Sequence, residues 1–102
     1  MTTTLRRATL QHGRALCHDD PDFWFPVSYG TTDGKIQAEF AAAICQRCPI
    51  RRACLEEALA AEGGSSAHYR HGIYAGFTPD ERFGIHRARV RRATAAAEAA
   101  AC

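Results

Sequence analysis

Apolar residues recur at helical spacing in the middle of the chain. In residues 35–47, positions i, i+4, i+7 and i+8 are occupied by Ile36, Phe40, Ala43 and Ile44. An apolar stripe of this period is typical of an amphipathic helix. We therefore predict a helix over residues 35–47, with Asp33 as its candidate capping residue.

The helix pattern breaks at a proline and then resumes. The residue before a proline disfavours the α region, so we expect the first helix to end at Cys48. Pro49 suits the first position of a second helix, which we place at residues 49–61, with Ile50, Cys54 and Ala58 on one face. Glycines at positions 63 and 64 stop this helix.

A third helix has a clear start signal. Residues 78–81 read T-P-D-E, which places a threonine at the N-cap, a proline at the first helical position and a glutamate two residues later. This combination is a capping box. We predict that the helix carries the basic run of residues 82–92 and is interrupted at Gly84. The alanine-rich residues 93–102 either extend the helix or fray.

Two irregular segments connect these helices. Residues 18–34 contain prolines, glycines and several aspartates, which predicts a loop. This loop carries four aromatic side chains that require packing partners, namely Phe23, Trp24, Phe25 and Tyr29. Residues 71–77 read H-G-I-Y-A-G-F, which predicts a tight turn that displays Tyr74.

The composition predicts one small domain with a thin core. The chain has 102 residues and a hydrophobic fraction of 46%, but 20 of those residues are alanine and five are cysteine. Small domains with so few large apolar side chains usually need disulfides or a metal to remain folded.

The N-terminus has no signal-peptide pattern and no segment is apolar enough for a membrane span, so we expect a cytoplasmic protein with reduced cysteines.

Four of the five cysteines form a constellation with the spacing C-x27-C-x2-C-x5-C, made by Cys17, Cys45, Cys48 and Cys54. Four thiolates suit either tetrahedral zinc or the four irons of a cubane cluster. Zinc sites usually combine two close cysteine pairs, whereas this chain has one pair and two single cysteines, which favours a cluster. A redox-active Cys45–Cys48 dithiol is the third reading.

Three motifs around the cysteines resemble the WhiB-like proteins, small regulators of actinobacteria and their phages. One motif is D-P-D-F-W-F-P at residues 20–26, which follows Cys17. The others are A-x-x-I-C-Q-R-C-P-I-R-R-A-C-L at residues 41–55 and the turn at residues 72–76 that leads into T-P-D-E-R at residues 78–82. The match spans roughly residues 15–92.

The resemblance implies a 4Fe–4S cluster ligated by Cys17, Cys45, Cys48 and Cys54, sensitive to oxygen and nitric oxide. It also implies a monomeric transcription regulator that binds the C-terminal domain of the primary sigma factor and contacts promoter DNA through its basic tail. The expected fold is all-α, a small single domain of three to four short helices around the cluster. We divide it into an N-terminal segment (1–14), a cluster-binding domain (15–80) and a basic C-terminal helix or tail (81–102).

The turn departs from the usual family sequence G-[IV]-W-G-G, because Tyr74 replaces tryptophan and Ala75 replaces glycine. Trp24-Phe25 stands where the family commonly has two phenylalanines. Ala75 strains the turn if its position requires a positive φ. We expect Trp24, Phe25 and Tyr74 to shield the cluster and to offer an apolar contact to a partner.

The basic run has no acidic residue after Glu81, as far as Arg92. It is either a solvated helix face or a phosphate-binding surface, and the second reading assigns DNA contact to Arg82, Arg87, Arg89, Arg91 and Arg92.

No nucleophile is paired with a base, so we identify no catalytic residue and expect no enzyme. The alternative functions are a disulfide reductase that uses Cys45 and Cys48, and a zinc-stapled DNA-binding module.

Overall fold

The computed structural model describes residues 16–19 and 21–101. It contains three α-helices, α1 (Thr32–Gln46), α2 (Arg51–Glu62) and α3 (Pro79–Ala101), and three short 3₁₀-helices, Leu16–Asp19, Pro21–Trp24 and Ala67–Tyr69. These ranges contain no β-strand, so the all-α prediction is confirmed. The predicted N-terminal segment 1–14 and Cys102 lie outside the described residues, and the predicted boundary between 80 and 81 lies in the first turn of α3.

Helix α1 begins three residues earlier than its apolar stripe suggests. Its N-cap is Thr31, whose Oγ1 accepts a hydrogen bond from the N–H of Gly34 at 3.1 Å. Asp33 is therefore not the cap. It lies in the first turn, where the positive end of the helix dipole stabilises its carboxylate. The helix ends at Gln46, just before Cys48-Pro49 as predicted.

The apolar stripe of α1 faces largely away from the core. Ile36 and Phe40 are 47% and 62% exposed, whereas Ala41 is fully buried. The buried face is the one with small residues, namely Gly34, Ala38, Ala41 and Cys45. Small side chains allow Trp24 and Ile73 to pack directly against the helix, and these residues form the core with Ala41 and Cys45.

The second helix begins later than predicted, whereas the third helix begins at the predicted residue. Helix α2 starts at Arg51, because Pro49 and Ile50 form a turn rather than the first helical positions. The capping box of α3 is confirmed: Thr78 Oγ1 accepts from the N–H of Glu81 at 3.3 Å, and the Glu81 carboxylate accepts from the N–H of Thr78 at 2.9 Å.

The predicted interruption at Gly84 is wrong. Helix α3 is continuous over 23 residues to Ala101, which corresponds to a length of about 34 Å. A single glycine costs a helix only about 1 kcal/mol, and the good helix formers around it outweigh that cost. None of the helices in the described part of the chain is long and apolar enough to cross a membrane.

A buried ion network joins α2, the following connector and α3. The Glu62 carboxylate, at the end of α2, binds Arg70 at 2.8 Å and Arg82 at 2.7 Å. Both guanidinium groups have fully buried side chains. Their remaining hydrogen bonds go to backbone carbonyl oxygens, from Arg70 to Gly63 and Ser65, and from Arg82 to His71, Gly72 and Phe77.

The protonation of Glu62 depends on these two arginines. Burial raises the pKa of the Glu62 carboxyl, but the hydrogen bonds and charges of Arg82 and Arg70 outweigh burial and hold the pKa below its usual range. Because the folded-state pKa is lowered, the stabilisation is complete above the unfolded-state value of about 4.3 and is lost only as pH falls below it.

We expect Glu62→Gln to lower the free energy of unfolding by about 3 kcal/mol, because it leaves two buried cations without a counter-charge. The difference from wild type should be constant between about pH 6 and pH 8, since Glu62 is ionised throughout that window. Urea unfolding followed by circular dichroism measures both quantities. The control is Glu56→Gln, which removes an exposed carboxylate and should change stability little; an equal loss in both variants would contradict the prediction.

Candidate metal centre

The four cysteines come from four different parts of the fold. Cys17 lies on the first 3₁₀-helix, Cys45 in the last turn of α1, Cys48 in the connection, and Cys54 in the first turn of α2. All four line one cavity of about 540 Å³. Its other lining residues are mainly apolar and include Trp24, Phe25, Ile44, Ile50, Ile73 and Tyr74. The structure thus brings together the residues that the spacing singled out.

The connection between α1 and α2 reverses the chain so that the last three cysteines converge. The N–H of Cys48 donates to the carbonyl of Cys45 at 3.1 Å, and the N–H of Arg51 donates to the carbonyl of Cys48 at 3.2 Å. Two consecutive turns therefore replace the helix at the proline. The N–H of Cys54 already bonds to the carbonyl of Ile50 at 2.8 Å, so Cys54 lies on the first turn of the new helix.

The glycine-aromatic turn contacts the cysteines through its backbone. Tyr74 and Phe77 are paired by hydrogen bonds in both directions, at 3.1 and 2.9 Å. Between them, Ala75 and Gly76 have φ values of +57° and +86°. Ala75 lines the cavity together with Cys54, and Gly76 lies so close to Cys45 that a Cβ on the glycine would be 3.4 Å from the Cβ of Cys45. No sequence motif predicted that these two backbone segments would lie against the cysteines.

The positive φ of Ala75 confirms the strain expected at this position. A non-glycine residue in the left-handed region costs about 1–2 kcal/mol. Ala75 is also buried, so the surrounding residues restrict its conformation. One restraint is visible at its carbonyl oxygen, which accepts a hydrogen bond from Nε of Arg51 at 3.0 Å.

Trp24 supplies a third donor to sulfur. Its indole Nε1 donates to Cys45 Sγ at 3.2 Å, and the side chain is only 6% exposed. The assignment of Trp24 to partner binding is therefore corrected, because the indole is committed to the core and to a cysteine. Its carbonyl accepts from the N–H of Ile73 at 2.6 Å, which ties the aromatic loop to the turn.

Phe25 and Tyr74 remain at the surface next to the cavity. Phe25 is 46% exposed and meets Tyr74 edge to face, with ring centroids 6.2 Å apart. Close approach of Phe25 requires Gly72, because a Cβ there would lie 2.6 Å from the phenyl ring. Gly72 also has a φ of +74°, which favours glycine on conformational grounds.

The apolar lining governs the protonation of the thiols. Burial raises the pKa of Cys17 and Cys45, and raises the pKa of Cys54 to about 11. At Cys45 the hydrogen bond from Trp24, the N–H of Gly76 and the charge of Arg51 oppose burial without cancelling it. The thiols of Cys17, Cys45 and Cys54 thus lack the lowered pKa of the nucleophiles in disulfide oxidoreductases.

The basic run contains one buried arginine, one arginine paired with a carboxylate and three other exposed arginines. Arg82 has no exposed surface, and all its donors bond to Glu62 or to backbone carbonyls. The assignment of Arg82 to DNA contact is therefore corrected, since a buried guanidinium cannot reach a phosphate. Arg89 makes two 2.8 Å hydrogen bonds to Glu56 on α2. Arg87, Arg91 and Arg92 are exposed.

Comparisons with known proteins agree with the motifs. The model of the family described as transcription factor WhiB matches residues 12–85. The chain is 36% identical to transcriptional regulator WhiB1 of Bifidobacterium longum, over 76% of this chain and 78% of that protein. It is 35% identical to WhiB1 of Mycobacterium tuberculosis, over 76% and 86% of the two chains. It is 41% identical to WhiB2 of Mycolicibacterium smegmatis, over 68% of this chain and 45% of that protein. The chain belongs to the WhiB family of transcriptional regulators.

Proposed function

We propose that the chain holds a 4Fe–4S cluster through Cys17, Cys45, Cys48 and Cys54, and that this cluster makes its transcriptional activity responsive to redox conditions and nitric oxide. The observation that carries the proposal is the shared cavity lined by all four thiols. When bound, the cluster supplies one-electron chemistry and a target for oxygen and nitric oxide. The protein supplies the ligands, the apolar walls and the hydrogen bonds to sulfur.

The arrangement of donors favours a cluster over a single zinc ion. With Zn–S bonds of about 2.3 Å, zinc draws its four sulfurs to within about 4 Å of one another. Here the four thiols line one cavity of about 540 Å³. In a cubane each sulfur binds a different iron, so the ligands stand further apart around a cavity.

The surroundings suit an anionic group. The indole of Trp24 donates to the sulfur of Cys45, and the backbones of Ala75 and Gly76 lower the pKa of Cys54 and of Cys45 respectively. The Arg51 side chain lies at the same site, and the positive end of the α2 dipole lies between Cys48 and Cys54. These groups stabilise negative charge on thiolates, and hydrogen bonds to sulfur raise the reduction potential of a cluster.

The cluster is tested by anaerobic purification with iron and sulfide analysis. We expect a brown protein with about four irons and four sulfides per chain, whose visible absorption is lost on exposure to oxygen or nitric oxide. Cys54→Ser should lose most of the iron, because it removes one of four ligands. Cys102→Ser is the matched control and should retain the wild-type content. A colourless protein with one zinc, or full iron in Cys54→Ser, would refute the proposal.

We infer that the partner in transcription is the C-terminal domain of the primary sigma factor, bound at the surface formed by Phe25 and Tyr74. Both aromatic rings border the cysteine cavity, so a change at the cluster is transmitted directly to this surface. Partly exposed aromatic pairs are frequent at the centres of protein interfaces. The departure from tryptophan at position 74 leaves an aromatic face that is smaller but still apolar.

Phe25→Ala should weaken binding of the purified sigma-factor domain by about tenfold or more, because it removes a central aromatic contact. Phe40→Ala, which removes an exposed phenylalanine from the far side of α1, is the matched control and should leave the affinity unchanged. Isothermal titration of the holo-protein gives both values. Similar losses in the two variants, or no loss in either, would exclude this surface.

We propose that promoter DNA is contacted by Arg87, Arg91 and Arg92 on α3. Arg87 and Arg91 are one helical turn apart, and both lie on the exposed part of the helix. The ion pair between Arg89 and Glu56 joins α3 to α2 and holds the start of this basic segment against the domain. The contact is with phosphates, so the sequence preference comes from the transcription machinery that is bound together with this chain.

Arg91→Ala should weaken DNA binding and reduce the slope of log affinity against log salt by about one, because one phosphate contact is lost. Lys35→Ala removes the same charge from an exposed position on α1 and serves as the control for net charge. Fluorescence anisotropy with a promoter duplex, measured in the presence of the sigma-factor domain over a salt series, provides the slopes. Equal slopes for Arg91→Ala and wild type would contradict the assignment.

A further inference from the structure

Arg82 belongs to the basic run by sequence but to the metal centre by position. It is the most deeply buried large side chain among the described residues, and it lies behind the turn that faces the cysteine cavity. Its Nη1 donates to the carbonyl oxygens of Gly72 at 2.8 Å and Phe77 at 2.6 Å, and its Nη2 donates to that of His71 at 3.0 Å. One guanidinium therefore holds both ends of the turn.

The same guanidinium also supports the middle of the turn. Its central carbon lies 5.0 Å from the ring centroid of Tyr74, within the range of a cation–π contact. The carboxylate of Glu62 fixes the guanidinium from the other side through three hydrogen bonds of 2.7–3.2 Å. Arg82, a residue of α3, is thus fixed by Glu62 of α2 and hydrogen-bonds to the backbone at both ends of residues 71–77.

The front of this turn faces the cysteines. Ala75 and Gly76 hold positive φ values, and Ala75 lines the same cavity as Cys54 and Cys45. A Cβ at Gly76 would lie 3.4 Å from the Cβ of Cys45, so the backbone is in close contact with that ligand. A strained alanine remains in this conformation only when its surroundings enforce it.

We propose that Arg82 is a positioning residue of the metal centre, which clamps the turn so that the amides of Ala75 and Gly76 donate to the sulfurs of Cys54 and Cys45. The clamp rests on this chain's own contacts, and its effect on reduction potential rests in addition on the proposed cluster. Hydrogen bonds to ligand sulfur stabilise the extra negative charge of the reduced cluster. Loosening the clamp therefore makes the cluster harder to reduce.

The test compares Arg82→Lys with Arg70→Lys in the anaerobically purified protein. Both variants keep the charge and disturb the same Glu62 network, but only Arg82 contacts the turn. We expect Arg82→Lys to retain the iron content, to shift the midpoint potential to a more negative value, and to accelerate amide hydrogen exchange at Ala75 and Gly76 by about tenfold or more. Arg70→Lys should lower stability while leaving the potential and these two amides unchanged.

Each alternative outcome decides the proposal. If both variants behave alike, or if the potential and the two amides do not change in Arg82→Lys, Arg82 is only a structural residue and the proposal is wrong. If the wild-type protein carries no cluster, the proposed function fails, and amide exchange alone decides the clamp. If Arg82→Lys does not fold, Glu62→Gln replaces it: a midpoint potential shifted in the same direction supports the clamp, and an unchanged potential overturns it.

Discussion

The ion pairs of the Glu62 carboxylate join α2, the connector and α3, where few large apolar side chains are buried. The core contains one tryptophan, two isoleucines, one leucine and several small residues, which is little for a domain of this size. One acidic group, bound by two buried arginines, joins the end of α2 to the connector and to α3. Because one carboxylate balances two cations, the remaining charge is dispersed over five backbone carbonyl oxygens. The turn that covers the cysteine cavity is shaped by this arrangement rather than by apolar packing alone.

Local signals in the sequence predicted local features well. The helix break at Cys48-Pro49 and the capping box at residues 78–81 each depend on neighbouring residues only, and both are present. The four cysteines could also be identified, since their spacing is unusual and they line one cavity. Long-range pairing could not be predicted in this way. Nothing near Arg82 distinguishes it from Arg87, and the difference arises from Glu62, which lies 20 residues earlier in the chain.

The same limit explains the errors in the aromatic and apolar residues. Trp24 and Phe25 are adjacent and chemically alike, yet one binds a sulfur in the core and the other lies at the surface. Periodicity identified α1 but not its buried face, because small residues pack closely against Trp24 while Ile36 and Phe40 point outward. A hydrophobic stripe predicts burial only when the neighbouring elements are large enough to cover it. In α1 of this family member, small residues are therefore buried next to Trp24, and larger apolar side chains are left exposed.

The position of Trp24 has a practical consequence. It is the only tryptophan in the chain, and its indole nitrogen is hydrogen-bonded to the sulfur of Cys45. The tryptophan emission of the protein therefore comes from a single residue in contact with one thiol of the cavity. Any event at that sulfur, such as metalation, alkylation or oxidation, alters the surroundings of the excited indole. The molecule thus contains its own optical reporter, which can follow the chemistry of the site in real time without an added label.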